Sequence, residues 1–215
     1  MGSSYTPRDL VNDSCINAPY ILTKLKQVQG LVQGMSYWTY TDLFEEPGFH
    51  GGFGLVNREG IRKPAWFAYK YLNALKGRNV PLRDAHAFAA VDGQRIAALV
   101  WDWQQAVSNT QFYAKQVPNT DSPVLVFRLA HVPAGNYRLQ VRKTGYRRND
   151  PLSLYIDMGM PKDLAPRQLA QLQQATRDTP EQDRRVRVGA DGVVEIRVPM
   201  RSNDVVLMTL EPSAR

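Results

Sequence analysis

The chain has 215 residues, of which 43% are hydrophobic and 22% charged, values typical of a soluble globular protein with one large or two small domains. No apolar run is long enough to span a membrane, and the N-terminus carries no signal-peptide pattern. Cys15 is the only cysteine, which excludes an internal disulfide and a four-cysteine zinc site. We expect a cytoplasmic or periplasmic protein that does not bind a membrane.

The formal net charge is +7, and a basic chain can indicate nucleic-acid binding. No zinc-finger, helix-turn-helix or RNA-binding motif accompanies the basic residues, so we expect a solvated strand face and no nucleic-acid partner. The densest basic patch consists of Arg138, Arg142, Lys143, Arg147 and Arg148.

Residues 1–77 follow a helix, strand, loop, helix order. Asn12, Asp13 and Ser14 offer N-cap side chains to a helix over Cys15–Gln27. Met35–Tyr40 has the aromatic and β-branched composition of a strand, and a long loop follows to about Arg62. Pro64 opens a second helix, which runs to Leu75. This rhythm predicts a parallel sheet with helices outside it. One strand and two helices cannot close such a sheet, so the region is expected to be the incomplete tail of a larger α/β domain.

Residues 78–215 show a hydrophobic period of two, with turn signals such as Asp92-Gly93 and Asp191-Gly192. This pattern predicts antiparallel hairpins that form a β-sandwich domain. One helix is predicted over Pro166–Thr176, and Pro180–Arg185 is predicted to be an exposed linker. The predicted strands are Ala87–Val91, Arg95–Trp103, Val124–His131, Tyr137–Lys143, Val193–Val198 and Asp204–Leu210.

The segment from Ser36 to Leu55 combines aromatic and acidic residues in the way that a sugar site requires. Aromatic rings pack on the apolar faces of a sugar, and carboxylates accept hydrogen bonds from its hydroxyls. Glu45 and Glu46 are adjacent and would point in opposite directions in an extended backbone, so at most one is expected to reach a substrate. His50 either donates to a sugar hydroxyl or caps the loop. The segment's residues of interest are Trp38, Tyr40, Phe44, Glu45, Glu46, His50 and Phe53.

Trp101 and Trp103 alternate onto one face of a predicted strand. They form either a carbohydrate-binding stripe, which would make the sandwich a non-catalytic carbohydrate- or partner-binding module, or a packed contact within the sandwich or between domains. His86 and His131 fall in strand patterns and are interpreted as structural. No His, Cys and carboxylate set has metal-ligand spacing, and no glycine-rich loop has a phosphate-binding context, so neither a metal nor a cofactor is expected.

An ordered series of motifs resembles the C-terminal part of bacterial β-xylosidases of glycoside hydrolase family 39. The later Tyr155-Ile-Asp-Met-Gly159 and Asp204-Val-Val-Leu207 are similar to the same family's β-sandwich. The series comprises Ser3-Ser-Tyr-Thr-Pro-Arg-Asp9, Asn12-Asp-Ser14, Asn17-Ala-Pro-Tyr-Ile21, Tyr37-Trp-Thr-Tyr-Thr-Asp-Leu-Phe-Glu-Glu46, His50-Gly-Gly-Phe-Gly-Leu55 and Lys63-Pro64.

The resemblance implies the C-terminal portion of a TIM (β/α)8 barrel over residues 1–77, with Met35–Tyr40 as its eighth strand, followed by an antiparallel β-sandwich over residues 78–215. It also implies retaining hydrolysis of terminal β-D-xylosyl residues, which needs two carboxyl groups about 5–5.5 Å apart. Aligned on Ser3-Ser4-Tyr5, the family's nucleophilic Glu would lie one position before Met1, and its acid/base Glu further upstream. The chain alone is therefore expected to be inactive.

The resemblance also assigns the substrate-binding residues. Tyr5 matches the tyrosine beside the nucleophile, and Trp38 matches the tryptophan beneath the sugar, with packing in the barrel core as the alternative for Trp38. Glu45, Glu46 and His50 complete the expected set. The expected partners are a xylo-oligosaccharide, bound weakly or not at all by this chain alone, and either a complementing N-terminal chain or a second copy.

Overall fold

The computed structural model describes residues 9–42, 48–104 and 124–213. The chain begins there with a 3-10 turn over Leu10–Asp13, followed by helix α1 over Asn17–Val28. Asp9 caps the 3-10 turn, since its carboxylate accepts from the Val11 N–H at 3.1 Å. The prediction that residues 12–14 cap α1 is wrong for Asn12 and Asp13, which belong to the preceding turn. Ser14 does accept from the Ile16 N–H at 3.2 Å just before the helix, although Ile16 occupies the N-cap position.

Helix α2 spans Pro64–Asn73 with proline at its start, as predicted. It packs against α1 through buried faces that include Ile21, Leu22, Phe67 and Tyr71. Neither helix, nor any other among the described residues, is long and apolar enough to cross a membrane.

The predicted strand over Met35–Tyr40 is not formed as a ladder. A strand exists through hydrogen bonds to a neighbour, and no described segment pairs with residues 33–38. Only the end of the predicted strand and the two residues after it pair, with residues 53–56: Leu55 N–H donates to the Thr39 carbonyl at 3.1 Å, and Val56 N–H to the Tyr40 carbonyl at 3.0 Å.

The described strands between residues 78 and 213 form two antiparallel sheets. One has six strands in the order β1-β2-β3-β8-β5-β6, and the other pairs β4 with β7. Their bounds are β1 Arg78–Val80, β2 Ala87–Asp92, β3 Arg95–Trp101, β4 Leu125–Leu129, β5 Gly135–Thr144, β6 Gln182–Val188, β7 Val194–Val198 and β8 Val205–Pro212.

Strand β8 explains how the molecule is layered. Val206, Met208 and Leu210 face a core shared with the two-stranded sheet, whereas Val205 and Leu207 face helices α1 and α2. Both faces of β8 are covered, and this is why its apolar residues form an unbroken run instead of alternating with polar ones. Residues on both sides of position 78 thus share one core; the predicted division into 1–77 and 78–215 stays a prediction.

Two helices lie between β5 and β6: α3 over Pro151–Asp157 and α4 over Pro166–Ala175. Helix α4 agrees with the prediction, and α3 was missed. The linker predicted over Pro180–Arg185 is wrong from Gln182 onward, because that stretch begins β6. Strand β6 is an edge strand with mostly polar, exposed side chains, so it lacks the apolar alternation seen in β5 and β7.

Candidate active site

The loop that carries His50 is held by a buried ionic cluster of Lys63, Asp13 and Asp42. The Lys63 Nζ lies 2.5 Å from Asp13 Oδ1 and 2.5 Å from Asp42 Oδ2. The side chains of Lys63 and Asp13 are 0% exposed and that of Asp42 is 4% exposed. Lys63 is the N-cap residue of α2, so the start of that helix fixes the position of the cluster.

Each member of this cluster also binds the backbone of the loop. Asp13 accepts from the Gly51 N–H at 2.5 Å and Asp42 from the Gly54 N–H at 2.6 Å, while Lys63 donates to the Gly52 carbonyl at 3.0 Å. A Cβ atom on Gly52 or Gly54 would overlap the Asp42 carboxylate. The glycines therefore allow the backbone to approach the charges closely.

The two carboxylates of the cluster keep the Lys63 side chain charged. Burial lowers the pKa of Lys63, but the two carboxylates outweigh that effect and the net shift of its pKa is upward. Burial raises the pKa of Asp13, against the opposing influence of Lys63. An ammonium ion between two carboxylates is thus the stable state of Lys63 at neutral pH.

Neutral side chains extend the cluster toward the segment that carries Trp38. Asn12 Nδ2 donates to the Gly51 carbonyl at 3.0 Å. Asn17 Nδ2 donates to the Asn12 carbonyl at 3.0 Å and to the Tyr37 hydroxyl at 3.3 Å. Through these bonds the 3-10 turn contacts the loop that carries His50, and the start of α1 contacts the residue before Trp38.

The structure describes two of the five predicted substrate-binding residues. Trp38 is 75% exposed and precedes a cis peptide bond to Thr39. His50 is half-buried, between the buried Phe49 and Gly51. Tyr5, Glu45 and Glu46 lie outside the described residues, and so does Phe44. In this chain Trp38 is therefore exposed and is not a core residue.

The described carboxylates around the loop are engaged in structural bonds. Asp13 and Asp42 are held by Lys63. Glu59 accepts from the Gly48 N–H at 3.1 Å and from Asn57 Nδ2 at 2.7 Å. None of these three is placed as a nucleophile or a proton donor to a sugar. Within the described residues, no group of three or more His, Cys, Asp or Glu side chains could hold a metal ion.

The two tryptophans on the sandwich side contact helix α1. Trp101 is 2% exposed, and its indole N–H donates to the Thr23 hydroxyl at 2.8 Å. Trp103 packs edge-on against Tyr20 at 5.8 Å between ring centroids. They occupy the contact between the helices and the sheet, so they do not form an exposed stripe. His86 packs edge-on against Trp101, and both His86 and His131 lie just outside the strands.

Each residue of the basic patch contacts an acidic residue. The charges of this patch are therefore compensated locally. The pairs are Arg138–Asp183 at 2.6 Å, Arg142–Asp178 at 3.5 Å, Lys143–Asp204 at 3.2 Å, Arg147–Asp157 at 2.5 Å and Arg148–Glu181 at 3.0 Å.

Sequence reasoning missed the ionic cluster. Asp13 was interpreted as a helix cap, Asp42 as part of a loop and Lys63 as the residue before a helix-opening proline. All three lie within motifs of the ordered series described above, and that shared membership is the signal that could have connected them.

Comparison with known proteins decides the family. The sequence model of glycosyl hydrolases family 39 matches residues 1–195. The chain belongs to this family. A beta-xylosidase of Geobacillus stearothermophilus is 29% identical over 218 residues, a match that covers 97% of this chain and 40% of that protein. The family predicted from the motif series is therefore confirmed.

Solved structures of family 39 enzymes have the same fold. The GH39 enzyme from Xanthomonas axonopodis pv. citri is 82% identical, with a TM-score of 0.93, covering 99% of this chain and 44% of that one. A monomeric beta-xylosidase from Caulobacter crescentus CB15 is 54% identical, with a TM-score of 0.91 and the same coverage of 99% and 44%. The chain thus spans less than half the length of these relatives.

Proposed function

We propose that this chain is the C-terminal part of a retaining β-xylosidase: the last segment of a (β/α)8 barrel with its accessory β-sandwich. It provides one wall of the sugar site, with Trp38 beneath the sugar and His50 at its side, and with Tyr5, Glu45 and Glu46 assigned to the same wall. The observation that carries the proposal is the family match over residues 1–195, together with 54% identity to the Caulobacter beta-xylosidase at a TM-score of 0.91.

We further propose that the chain has no hydrolase activity alone. Retaining hydrolysis needs a nucleophile and an acid on either side of the anomeric carbon. The carboxylates described around the His50 loop support this proposal, because Asp13, Asp42 and Glu59 are all engaged in holding the backbone.

An exposed apolar segment supports completion by another polypeptide. Residues 31–40 contain five exposed large apolar side chains, an unusual concentration for a free surface. The backbone of residues 33–38 makes no hydrogen bond to a described residue, so both edges of this segment can pair with added strands. The exposed side chains are Leu31 at 76%, Val32 at 48%, Met35 at 36%, Trp38 at 75% and Tyr40 at 65%.

The experiment compares the 215-residue chain alone with the same chain co-expressed with the part of the Xanthomonas enzyme that it does not cover. The substrate is p-nitrophenyl-β-D-xyloside. We expect no turnover by the chain alone and clear turnover by the assembly. Turnover by the chain alone that is lost on substituting one of its own residues would sink the proposal.

A matched pair of tryptophan variants tests the assigned wall. In the active assembly, Trp38→Ala should reduce kcat/KM strongly, because a sugar loses the ring on which it packs. Trp66→Ala is the control: Trp66 lies on α2 with the Arg62 guanidinium over its ring at 4.7 Å, away from the exposed segment in sequence. Equal losses for the two variants would contradict the role of Trp38.

Size-exclusion chromatography of the chain alone shows whether a second copy, instead of a complementing chain, covers residues 31–40.

A further inference from the structure

The residue before His50 is seated on the two helices that lie between β5 and β6. Phe49 is 0% exposed and packs with Leu152 and Tyr155 of α3 and Leu172 of α4. The rings of Phe49 and Tyr155 are 5.2 Å apart between centroids and inclined by 60°. These helices belong to the sandwich part of the sequence, whereas Phe49 belongs to the loop that carries His50.

Tyr155 also contacts the backbone of the loop. Its hydroxyl donates to the Pro161 carbonyl at 2.9 Å and lies against the backbone of Gly48. Gly48 has a φ of +94°, and a Cβ atom there would overlap the Tyr155 hydroxyl. The loop therefore approaches Tyr155 as closely as a residue without a side chain permits.

Other bonds hold the same side of the loop. Asn57 Nδ2 donates to the Gly48 carbonyl at 3.1 Å, and the Glu59 carboxylate accepts from the Gly48 N–H. Arg62 donates to the Thr176 carbonyl, just beyond α4, at 3.4 Å. On the other side, Gly51 is fixed by Asp13 and Asn12. His50 thus lies between Phe49, which is fixed by apolar packing, and Gly51, which is fixed by the ionic cluster.

We propose that α3 and α4 are a positioning element of the sugar site, and that Phe49 and Tyr155 are its positioning residues. They fix the backbone on which His50 stands and so determine where its imidazole meets a bound glycoside. This inference rests on the proposed function for the role of His50. In a pre-organised site, a displacement of about 1 Å far from the chemistry can lower the rate about 100-fold.

The first test needs no activity. The chain contains three histidines, His50, His86 and His131, so labelling of the 215-residue chain with α-15N-histidine gives three backbone amide signals, which single His→Gln variants assign. We expect Tyr155→Leu to move the His50 signal and to leave the His86 signal in place. Tyr155→Phe keeps the ring against Phe49 and should give a smaller shift. An unmoved His50 signal in Tyr155→Leu would overturn the proposal.

Tyr137 provides a matched control. It is 1% exposed and also donates its hydroxyl to a proline carbonyl, that of Pro133 at 2.9 Å, but it lies in the core between the two sheets. Tyr137→Leu should leave the His50 signal unchanged. If Tyr155→Leu does not fold, Leu172→Ala removes part of the same apolar packing from α4 and should shift the His50 signal likewise.

The second test uses the co-expressed assembly and the same xyloside. We expect Tyr155→Leu to lower kcat/KM about 10- to 100-fold, with Tyr155→Phe much closer to wild type and Tyr137→Leu unaffected. An active wild-type assembly whose kinetics do not change in Tyr155→Leu would overturn this inference and leave the proposed function intact. An inactive wild-type assembly would overturn the proposed function, and this inference with it.

Discussion

Two buried aspartate clusters lie along helix α2 and are built differently. At its N-terminus Lys63 binds Asp13 and Asp42, and its side chain is 0% exposed. Near its C-terminus Lys70 binds Asp178 at 2.6 Å, and the Lys70 side chain is 38% exposed. Both clusters join α2 to distant parts of the chain, but only the first is closed to water.

The second cluster surrounds a single carboxylate with several donors. Asp178 accepts from the Tyr71 hydroxyl at 2.6 Å and from Asn149 Nδ2 at 2.9 Å, and Arg142 binds its backbone carbonyl. If one donor is lost, the others remain. In the first cluster one ammonium serves two carboxylates, so its loss leaves both without a cation. The number of donors around each carboxylate, more than the ion-pair distance, should therefore decide how much stability is lost when one residue of a cluster is substituted.

The largest effect is expected for Lys63→Met. Removing the ammonium leaves Asp13 and Asp42 buried and facing each other, and breaking a buried ion pair in this way costs about 3–5 kcal/mol. Urea unfolding of the purified chain measures the change. A triple variant with Asp13→Asn and Asp42→Asn added should recover part of the loss, because no uncompensated charge remains. A loss below about 1 kcal/mol would contradict the buried, charged state of the cluster.

A smaller effect is expected for Asp178→Asn. The amide accepts fewer hydrogen bonds than the carboxylate, so buried donors such as Tyr71 and Asn149 lose part of their bonding, at a cost of about 1–3 kcal/mol. The control is Asp183→Asn, which removes a carboxylate that pairs with Arg138 on the exposed face of the sheet. The control should leave the urea midpoint nearly unchanged, and a control effect as large as that of Asp178→Asn would refute the distinction.

The strands and helices that could be predicted carry their signal locally. Pro64 fixes the start of α2, and alternating apolar and polar residues mark β5 and β7. Strand β6 and helix α3 were missed because their stability comes from neighbours: β6 is held by β5 along one edge, and α3 by contacts with Phe49 and Leu172. A charged edge strand has no local pattern that separates it from a linker.

The candidate site was predicted only in part for a related reason. The aromatic residues of the loop predict a sugar site by their type, and this assignment stays a prediction. The bonds that shape the loop join Asp13, Asp42 and Lys63 across long stretches of sequence, and Phe49 to Tyr155 across a still longer one. The sequence shows which residue types are present, but only the folded structure shows which distant residues contact each other.

An intermediate effect is expected at alkaline pH. Burial, followed by the nearby carboxylate of Asp13 among other groups, raises the pKa of Tyr37 to about 12 despite a hydrogen bond from Asn17. Burial, with the charge of Tyr37, raises that of Tyr69 to about 12. The unfolded chain ionises its tyrosines near pH 10, so the folded state holds more protons above that pH. The raised pKa of Lys63 acts in the same direction, since its stabilisation is lost above its unfolded pKa.

The free energy of unfolding should therefore fall as the pH rises from about 10 to about 12. Absorbance of tyrosinate in the native chain should show tyrosines, Tyr37 and Tyr69 among them, that titrate well above pH 10. Tyr37→Phe and Tyr69→Phe should each make the alkaline fall in stability shallower. A fall that is equally steep in both variants would show that these tyrosines are not the groups responsible.

The smallest effect is expected for Lys70→Met, the counterpart of Lys63→Met on the same helix. Lys70 contacts Asp178 at nearly the same distance as Lys63 contacts its partners, 2.6 Å against 2.5 Å. Its side chain, however, is more than a third exposed, and Asp178 keeps Tyr71 and Asn149 as donors. Water screens such a pair, so we expect a loss of about 0–1 kcal/mol in urea unfolding. Equal losses for the two lysine variants would show that ion-pair distance governs stability here; a several-fold difference would show that burial and the number of donors do.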